Sequence, residues 1–164
     1  MTTASDVVGI LVARRLTIAV AESLTGGMLV AELISVPGAS AVVRGGVVAY
    51  ATPLKHTLLD VDAGLLARRG AVDAEVARQM AAGARERLAV DGVPAAIGLA
   101  TTGVAGPDPQ DGHPVGEVWL GLAIGEELLA KRLELEGGRR AIRAATVSES
   151  LGWLHELLTA APSE

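Results

Sequence analysis

Residues 17–27, Thr-Ile-Ala-Val-Ala-Glu-Ser-Leu-Thr-Gly-Gly, give the clearest indication of the fold class. The apolar, partly β-branched run 17–21 predicts a short buried strand. Glu22, Ser23 and two glycines then predict a turn, and a helical pattern covers about 25–34. A buried strand that turns directly into a helix is typical of α/β folds, in which ligands bind beyond the carboxyl ends of the strands.

The rest of the chain continues the alternation of apolar strands with helices. Ser5 is predicted to cap the first helix, and Asp73 a long central helix. Gly125-Glu126 is predicted to form a two-residue hairpin turn, which makes the sheet mixed. We therefore predict one domain over residues 1–164, a three-layer α/β/α sandwich with a mixed, mostly parallel sheet. The further elements are helices at 6–15, from 53, at 62–69, 73–90 and 139–158, and strands at 46–52, 95–100, 117–124 and 128–135.

The composition excludes several classes of function. Fourteen basic and nineteen acidic residues leave a net charge of −5, which argues against nucleic acid as a partner because phosphate binding needs a basic surface. The chain has no cysteine, so thiolate nucleophiles, disulfides and iron–sulfur clusters are excluded. Three scattered histidines argue against a metal site. We expect chemistry from hydroxyls, carboxylates, amines and backbone amides, with no metal and no cofactor.

Targeting and membrane signals are not visible in the sequence. The first residues lack a basic segment followed by an apolar run, and no stretch approaches the roughly 20 apolar residues that a membrane span requires. We therefore expect a cytoplasmic protein that does not bind membranes.

Ser23 is the first candidate for chemistry. The predicted turn places its hydroxyl near the start of a helix, where free amides and the helix dipole favour an anion. Gly26 and Gly27 allow the backbone to approach a ligand closely. This arrangement suits a nucleophile beside an oxyanion hole, or a phosphate cradle. The alternative is that Ser23 or Thr25 only caps the helix.

Tyr50 and Lys55 form the second candidate pair, five residues apart around Pro53. A partly buried lysine loses some of its preference for the charged form and can then accept a proton from a nearby hydroxyl. A tyrosine hydroxyl can position or relay that proton. The alternative is a surface lysine and a tyrosine at the edge of the core.

A third segment is expected to meet the Ser23 turn. Thr101-Thr102-Gly103 follows another buried strand, and the loops 22–27, 52–55 and 101–107 gather at one edge of the sheet if their strands run parallel. The glycines near 103 expose backbone amides to a ligand, and the alternative is a loop that only requires positive φ.

The remaining candidates are charged or polar residues in loops and at the start of the last helix. Arg139, Arg140 and Arg143 could bind phosphate, and the alternative is helix charge exposed to solvent. Ser40 is a candidate ligand contact, although a turn or cap role is favoured locally. The loop before 114 is predicted to expose its charged residues to solvent: Asp108, Asp111 and His113.

Seven segments of the sequence together carry a resemblance to a known family. They are Ala21–Gly27, Pro37-Gly38-Ala39-Ser40, Gly46–Tyr50 leading to Lys55, Gly70-Ala71-Val72, Thr102–Pro107, Pro114–Val118, and Arg139 with Arg143. In this order and spacing they resemble the CinA C-terminal domain family, the nicotinamide-nucleotide amidohydrolases. The match spans nearly the whole chain, and the set of motifs is far more specific than any one of them.

The resemblance implies a fold, a reaction and roles for residues. The fold is α/β/α, and the reaction is hydrolysis of the carboxamide of nicotinamide mononucleotide to nicotinate mononucleotide and ammonia. Ser23 would be the nucleophile and Lys55 the general base, with Tyr50 assisting. The substrate-binding residues would be Thr25, Gly26, Gly27, Ser40, Thr102, Gly103 and Arg139, the glycines supplying oxyanion or phosphate donors. We expect a small-molecule nucleotide as partner, and a homo-oligomer.

The sequence also departs from the family pattern. Asp73 stands where the family often has serine, His113 replaces a lysine after a divergent loop, and Glu117 stands where threonine is usual. The family also occurs fused behind a larger domain similar to molybdopterin-biosynthesis proteins, which we do not expect in these 164 residues. Two alternatives remain: a non-catalytic nucleotide-binding or regulatory module, or an amidase for a related pyridine nucleotide.

Overall fold

Within residues 1–160, which the computed structural model describes, five strands form a middle layer and helices cover both of its faces. The predicted α/β/α sandwich is present. No helix in this part of the chain is both long and apolar enough to cross a membrane. The helices are α1 (Ala4–Arg14), α2 (Met28–Ile34), α3 (Thr52–Leu59), α4 (Ala63–Arg69), α5 (Ala74–Arg87) and α6 (Arg139–Ala160). The strands are β1 (Ile18–Glu22), β2 (Val43–Val48), β3 (Ile97–Gly103), β4 (Glu117–Ile124) and β5 (Glu127–Glu134).

The order of the strands in the sheet is β2-β1-β3-β4-β5. β1 pairs in parallel with β2 and β3, whereas β4 is antiparallel to β3 and β5. The sheet is therefore mixed as predicted, and four of its five strands run in one direction. The chain leaves β1 towards β2 and returns on the other side of β1 as β3. The carboxyl ends of β1 and β3 thus flank a topological switch point, the usual ligand position in such sheets.

The two faces of the sheet pack differently. Ile18, Val20 and Leu99 join the core formed with α1, α2 and α6. On the opposite face the strands carry small residues, because α5 lies very close to the sheet. A Cβ atom at Gly98 would overlap the backbone carbonyl of Ala81 on α5. The close approach of α5 requires a glycine at this position.

Several predicted elements have different ends in the structure, and the differences at α1 and β2 have a clear physical cause. Thr3, rather than Ser5, caps α1, because its hydroxyl and the Asp6 carboxylate form a reciprocal capping box. β2 begins and ends earlier than predicted, since Gly46 lies inside the strand and not at its start. Val30 of α2 packs against Gly46, where a Cβ would lie 2.9 Å from the valine side chain. The glycine therefore marks a close packing contact within β2.

Candidate active site

A pocket of about 390 Å³ opens beyond the carboxyl ends of β1 and β3. As predicted, the segments that follow β1, β2 and β3 all contribute to it. Its lining includes six residues singled out from the sequence: Ser23, Tyr50, Lys55, Thr102, Gly103 and Arg139.

Ser23 and Lys55 are in direct contact at this pocket. The Lys55 Nζ lies 3.0 Å from the Ser23 Oγ and 2.7 Å from the carbonyl oxygen of Ala49, and it donates a hydrogen bond to each. The Lys55 side chain is fully buried. Burial lowers the pKa of Lys55 from 10.5 to about 8, because a charged amine loses its hydration there. Roughly a tenth of the amine is therefore neutral at about pH 7.

The first turn of α3 carries Lys55 into the core. Pro53 occupies the first turn of this helix, where its missing N–H has no intrahelical partner to lose. Lys55 and Leu59 are four residues apart, so they share one face of the helix, and both are buried. The sequence thus places an amine at a position where a helix normally presents an apolar side chain.

The turn that carries Ser23 is closed by backbone hydrogen bonds. The Ser23 N–H donates to the Thr101 carbonyl at 3.0 Å and extends the pairing of β1 with β3 by one residue. The Gly26 N–H donates to the Ser23 carbonyl at 3.1 Å. Gly26 and Gly27 have φ of +59° and +98°, which a side chain would strain. The Gly26 amide is therefore engaged within the turn, contrary to its expected role as a donor to the ligand.

Glu22 caps α2 from the end of β1. Its buried carboxylate accepts hydrogen bonds from the Leu29 N–H at 2.8 Å and from the Val30 N–H at 3.1 Å. Gly27, the residue at the N-cap position, has no side chain to do this. The first amides of the helix are thus engaged by Glu22, which corrects the expectation that they are free for an anion. This role of Glu22 was not predicted from the sequence, although Glu22 directly precedes Ser23.

Two residues that line the pocket have backbone amides with no acceptor in the described part of the chain. Leu24 lines the pocket, and within residues 1–160 no hydrogen-bond acceptor engages the Leu24 N–H. Gly103 is the last residue of β3, and alternate residues of a strand direct their N–H groups to opposite neighbours. Because the Val104 N–H bonds to β4, the Gly103 N–H is directed to the side of β1, which has already ended at Glu22. These two amides can meet a ligand.

The threonines near the pocket hold the loops together. The hydroxyls of Thr25 and Thr101 lie 2.8 Å apart and are buried. The Thr102 hydroxyl donates to the Ala71 carbonyl at 2.7 Å, although Thr102 also lines the pocket. The structure therefore directs the Thr25 hydroxyl to Thr101, away from the predicted substrate contact, and leaves the Thr102 oxygen able to accept a further hydrogen bond.

The arginines that begin α6 have separate roles. Arg139 donates to the Tyr50 hydroxyl at 3.0 Å and to the Gly106 carbonyl at 2.7 Å, at the mouth of the pocket. Arg143 donates to the carbonyl of Leu24 at 2.8 Å and so holds the Ser23 turn. Tyr50 is 59% exposed, and its hydroxyl contacts Arg139 and not Lys55. The expected relay between Tyr50 and the amine has no contact to support it.

The sequence and the fold are both shared with known proteins. The sequence model of the CinA C-terminal domain matches residues 1–158. The chain belongs to the CinA C-terminal domain family. It is 48% identical over 157 residues to a CinA-like protein of Frankia casuarinae, covering 96% of this chain and 35% of that protein. It is also 48% identical over 156 residues to a putative competence-damage inducible protein of Levilactobacillus brevis, covering 94% of this chain and 36% of that protein. The chain spans about a third of the length of these curated relatives.

Solved structures of the CinA superfamily share the fold of this CinA-family domain. A superfamily protein from Klebsiella pneumoniae aligns with a TM-score of 0.88 at 31% identity, over 96% of both chains. A competence/damage inducible protein from Agrobacterium tumefaciens aligns with a TM-score of 0.86 at 34% identity, over 95% of this chain and 93% of that one. The resemblance seen in the sequence motifs is therefore confirmed.

Ser40 lies far from the pocket in this CinA-family domain. It is exposed in a short 3₁₀ turn, Ala39–Ala41, just before β2. The next residue, Val42, accepts a hydrogen bond from the N–H of Ile18 at the amino end of β1. Ser40 is thus at the opposite end of the sheet from Ser23, and the structure does not bring the two together within one chain.

Two departures from the family pattern contact each other. The Nδ1 of His113 lies 3.2 Å from the carboxylate of Glu117, which is buried. The same carboxylate accepts a hydrogen bond from the Trp119 indole at 3.2 Å and faces the Arg132 guanidinium at 3.5 Å. His113 is therefore partly buried and paired, which corrects the prediction of an exposed loop residue. The pairing anchors the end of the 104–116 loop that borders the pocket.

Proposed function

We propose that this CinA-family domain hydrolyses the carboxamide of nicotinamide mononucleotide to nicotinate mononucleotide and ammonia. The observation that carries the proposal is the 3.0 Å contact between the Lys55 Nζ and the Ser23 Oγ. A hydroxyl beside a buried amine with a pKa of about 8 is an activated nucleophile. Membership of the CinA family and the pocket at the switch point support the same function.

The first half of the proposed reaction forms an acyl-enzyme. Neutral Lys55 takes the Ser23 proton, and the Ser23 oxygen attacks the carboxamide carbon. The ammonium so formed keeps its hydrogen bond to the Ala49 carbonyl, which holds Nζ in place. When the carbon–nitrogen bond breaks, Lys55 returns the proton to the leaving nitrogen, and ammonia departs.

The second half releases the product. Lys55, neutral again, takes a proton from water, and the hydroxide attacks the ester carbon of the acyl-enzyme. The Ser23 oxygen leaves with the proton from Lys55, which regenerates the enzyme and yields the carboxylic acid. The negative oxygen of both tetrahedral intermediates would receive hydrogen bonds from the N–H groups of Leu24 and Gly103. Removal of one such donor typically lowers the rate about 10²–10³-fold.

The mouth of the pocket supplies candidate contacts to the nucleotide. Arg139 offers a guanidinium whose geometry suits phosphate, and Tyr50 holds that guanidinium through its hydroxyl. We therefore propose that Tyr50 acts with Arg139 in binding, while Lys55 alone transfers the proton.

Ammonia release from nicotinamide mononucleotide tests this function. Ser23→Ala and Lys55→Met should each lower kcat by about 10³-fold or more, since each removes a reacting group. Lys131→Met is the matched control, because Lys131 is the other lysine of the chain and lies on β5, outside the pocket. The control should retain full activity.

Other outcomes of the same assay would overturn the proposal. Unchanged rates for Ser23→Ala and Lys55→Met would remove both groups from the mechanism. Tight binding of nicotinamide mononucleotide with no ammonia over hours would identify a nucleotide-binding module. Ammonia from a related pyridine carboxamide but not from nicotinamide mononucleotide would identify a different amidase.

A further inference from the structure

Asp108 supplies a carboxylate to the pocket that the proposed mechanism does not use. The charged side chains that line the pocket are those of Lys55, Asp108 and Arg139. Lys55 is engaged by Ser23 and Ala49, and Arg139 by backbone and hydroxyl oxygens. Within residues 1–160, no hydrogen bond or ion pair engages the Asp108 carboxylate. Asp108 therefore leaves a negative charge at the pocket without a protein partner.

The loop that carries Asp108 is anchored on both sides. Before it, the Gly106 carbonyl accepts a hydrogen bond from Arg139 at 2.7 Å. After it, Gln110 and His113 exchange backbone hydrogen bonds, and His113 contacts the buried Glu117. A carboxylate between two such anchors is held at the rim of the pocket, so its charge acts on whatever ligand lies there.

An anionic ligand alone does not account for a carboxylate at this place. A nucleotide phosphate would be repelled by Asp108, whereas a ligand that also carries a positive charge would be attracted. The pocket has a single aromatic residue in its described lining, Tyr50, so it lacks the aromatic cage that usually binds organic cations. Asp108 is the lining side chain able to offset a positive charge on the ligand.

We propose that Asp108 recognises the positive charge of the pyridinium ring and makes the pocket selective for cationic nicotinamide nucleotides over their neutral dihydro forms. This inference rests on the proposed function, in which the carboxamide attacked by Ser23 is attached to that ring. The ring must then lie in the pocket that Asp108 lines. Because Asp108 is exposed at the rim, solvent screens its charge, and the effect on affinity is about 3- to 5-fold.

Binding of two nucleotides of nearly equal shape tests the inference. Nicotinamide mononucleotide has a cationic ring, and reduced nicotinamide mononucleotide has a neutral one. Calorimetry would use the Ser23→Ala protein, in which turnover is blocked, with and without Asp108→Asn. Asp108→Asn should weaken binding of the cationic nucleotide about 3- to 5-fold and leave the Kd of the neutral one within about twofold. The difference should shrink at high salt.

Asp111→Asn is the matched control, because it removes the same charge from the same loop at a residue that does not line the pocket. This variant should leave both dissociation constants unchanged. If Asp108→Asn weakened the binding of both nucleotides equally, or if Asp111→Asn lost the same selectivity, this inference would be overturned. The proposed function would not be affected by either result. Failure of the Ser23→Ala protein to bind either nucleotide would overturn the proposed function as well.

Discussion

Lys55 is a charged residue at a position in α3 that faces the core, and its surroundings change its acid–base behaviour. Burial penalises the ammonium form and brings the pKa to about 8. The two oxygens within 3.0 Å, from Ser23 and Ala49, leave the amine positioned for proton transfer in either protonation state. At the residue scale, the proposed chemistry therefore depends on how much of this one amine is neutral.

The pH dependence of the reaction follows from that protonation state. A base must be neutral to accept a proton, so activity rises as pH increases through the pKa of Lys55. We expect kcat/KM to increase about tenfold per pH unit below about pH 8 and to level off above it. Initial rates of ammonia release between about pH 6 and 10 measure this. A profile that falls with pH over that range would exclude Lys55 as the general base.

The elements around the site act by holding the turn between β1 and α2. Glu22 binds the first amides of α2 from one side, and Arg143 of α6 binds the Leu24 carbonyl from the other. Ser23 lies between these two anchors. They therefore position its hydroxyl next to Lys55, although neither Glu22 nor Arg143 contacts the hydroxyl or the amine. This is a positioning role, distinct from the chemistry itself.

Glu22→Gln should weaken that anchoring. A glutamine keeps one acceptor oxygen but presents its NH₂ group towards one of the two amides, which loses a hydrogen bond. We expect kcat to fall about tenfold with KM nearly unchanged, and the free energy of unfolding to fall by about 1–3 kcal/mol. Steady-state kinetics and chemical denaturation measure the two effects. Glu32→Gln, at an exposed position of the same helix, should change neither. A rise in KM with unchanged kcat would contradict the role of Glu22 in positioning the Ser23 turn.

For the whole molecule, the buried amine is a source of instability. The pKa of Lys55 is about 8 in the folded protein and 10.5 in its ordinary state, so the unfolded chain binds more protons between these values. The free energy of unfolding therefore rises with pH across that window, because the penalty for burying the charged amine decreases. Below about pH 8 the destabilisation is complete and costs about 3 kcal/mol.

Lys55→Met should accordingly stabilise the folded protein while abolishing the proposed activity. Methionine has a similar length and no charge to desolvate, although the Ala49 carbonyl loses its donor. We expect the free energy of unfolding at neutral pH to rise by about 1–3 kcal/mol, and the gain to shrink as pH approaches 10.5. Urea denaturation at several pH values tests this, with Lys131→Met as the control. A loss of stability at neutral pH would show that the amine is a net structural contact.

The local sequence pattern was sufficient to predict most strands and helices of the fold. The alternation of apolar residues placed β4 at 117–124, as the structure has it, and the apolar run before Ser23 marked β1 within one residue. Strands and helices of this kind are specified by the period of their own side chains. β2 was misplaced because Gly46 resembles a turn residue until α2 is packed against it. A contact with another element cannot be read from the residues of one element.

For the candidate site, too, some features could be predicted from the sequence and others depend on packing. The pattern of strands and helices predicted the fold class, and the ordered motifs predicted the family and identified Ser23 and Lys55 as candidates. That the amine meets the hydroxyl, that Arg143 holds the turn while Arg139 lines the pocket, and that Glu22 binds the helix amides became visible only in the packed fold. Lys55 lies 32 residues from Ser23, and Arg143 lies 119 residues from Leu24, so these contacts exist only once both core layers have packed on the sheet. Glu22 is only seven residues from Leu29, but it reaches the helix amides because the turn between β1 and α2 folds back on itself.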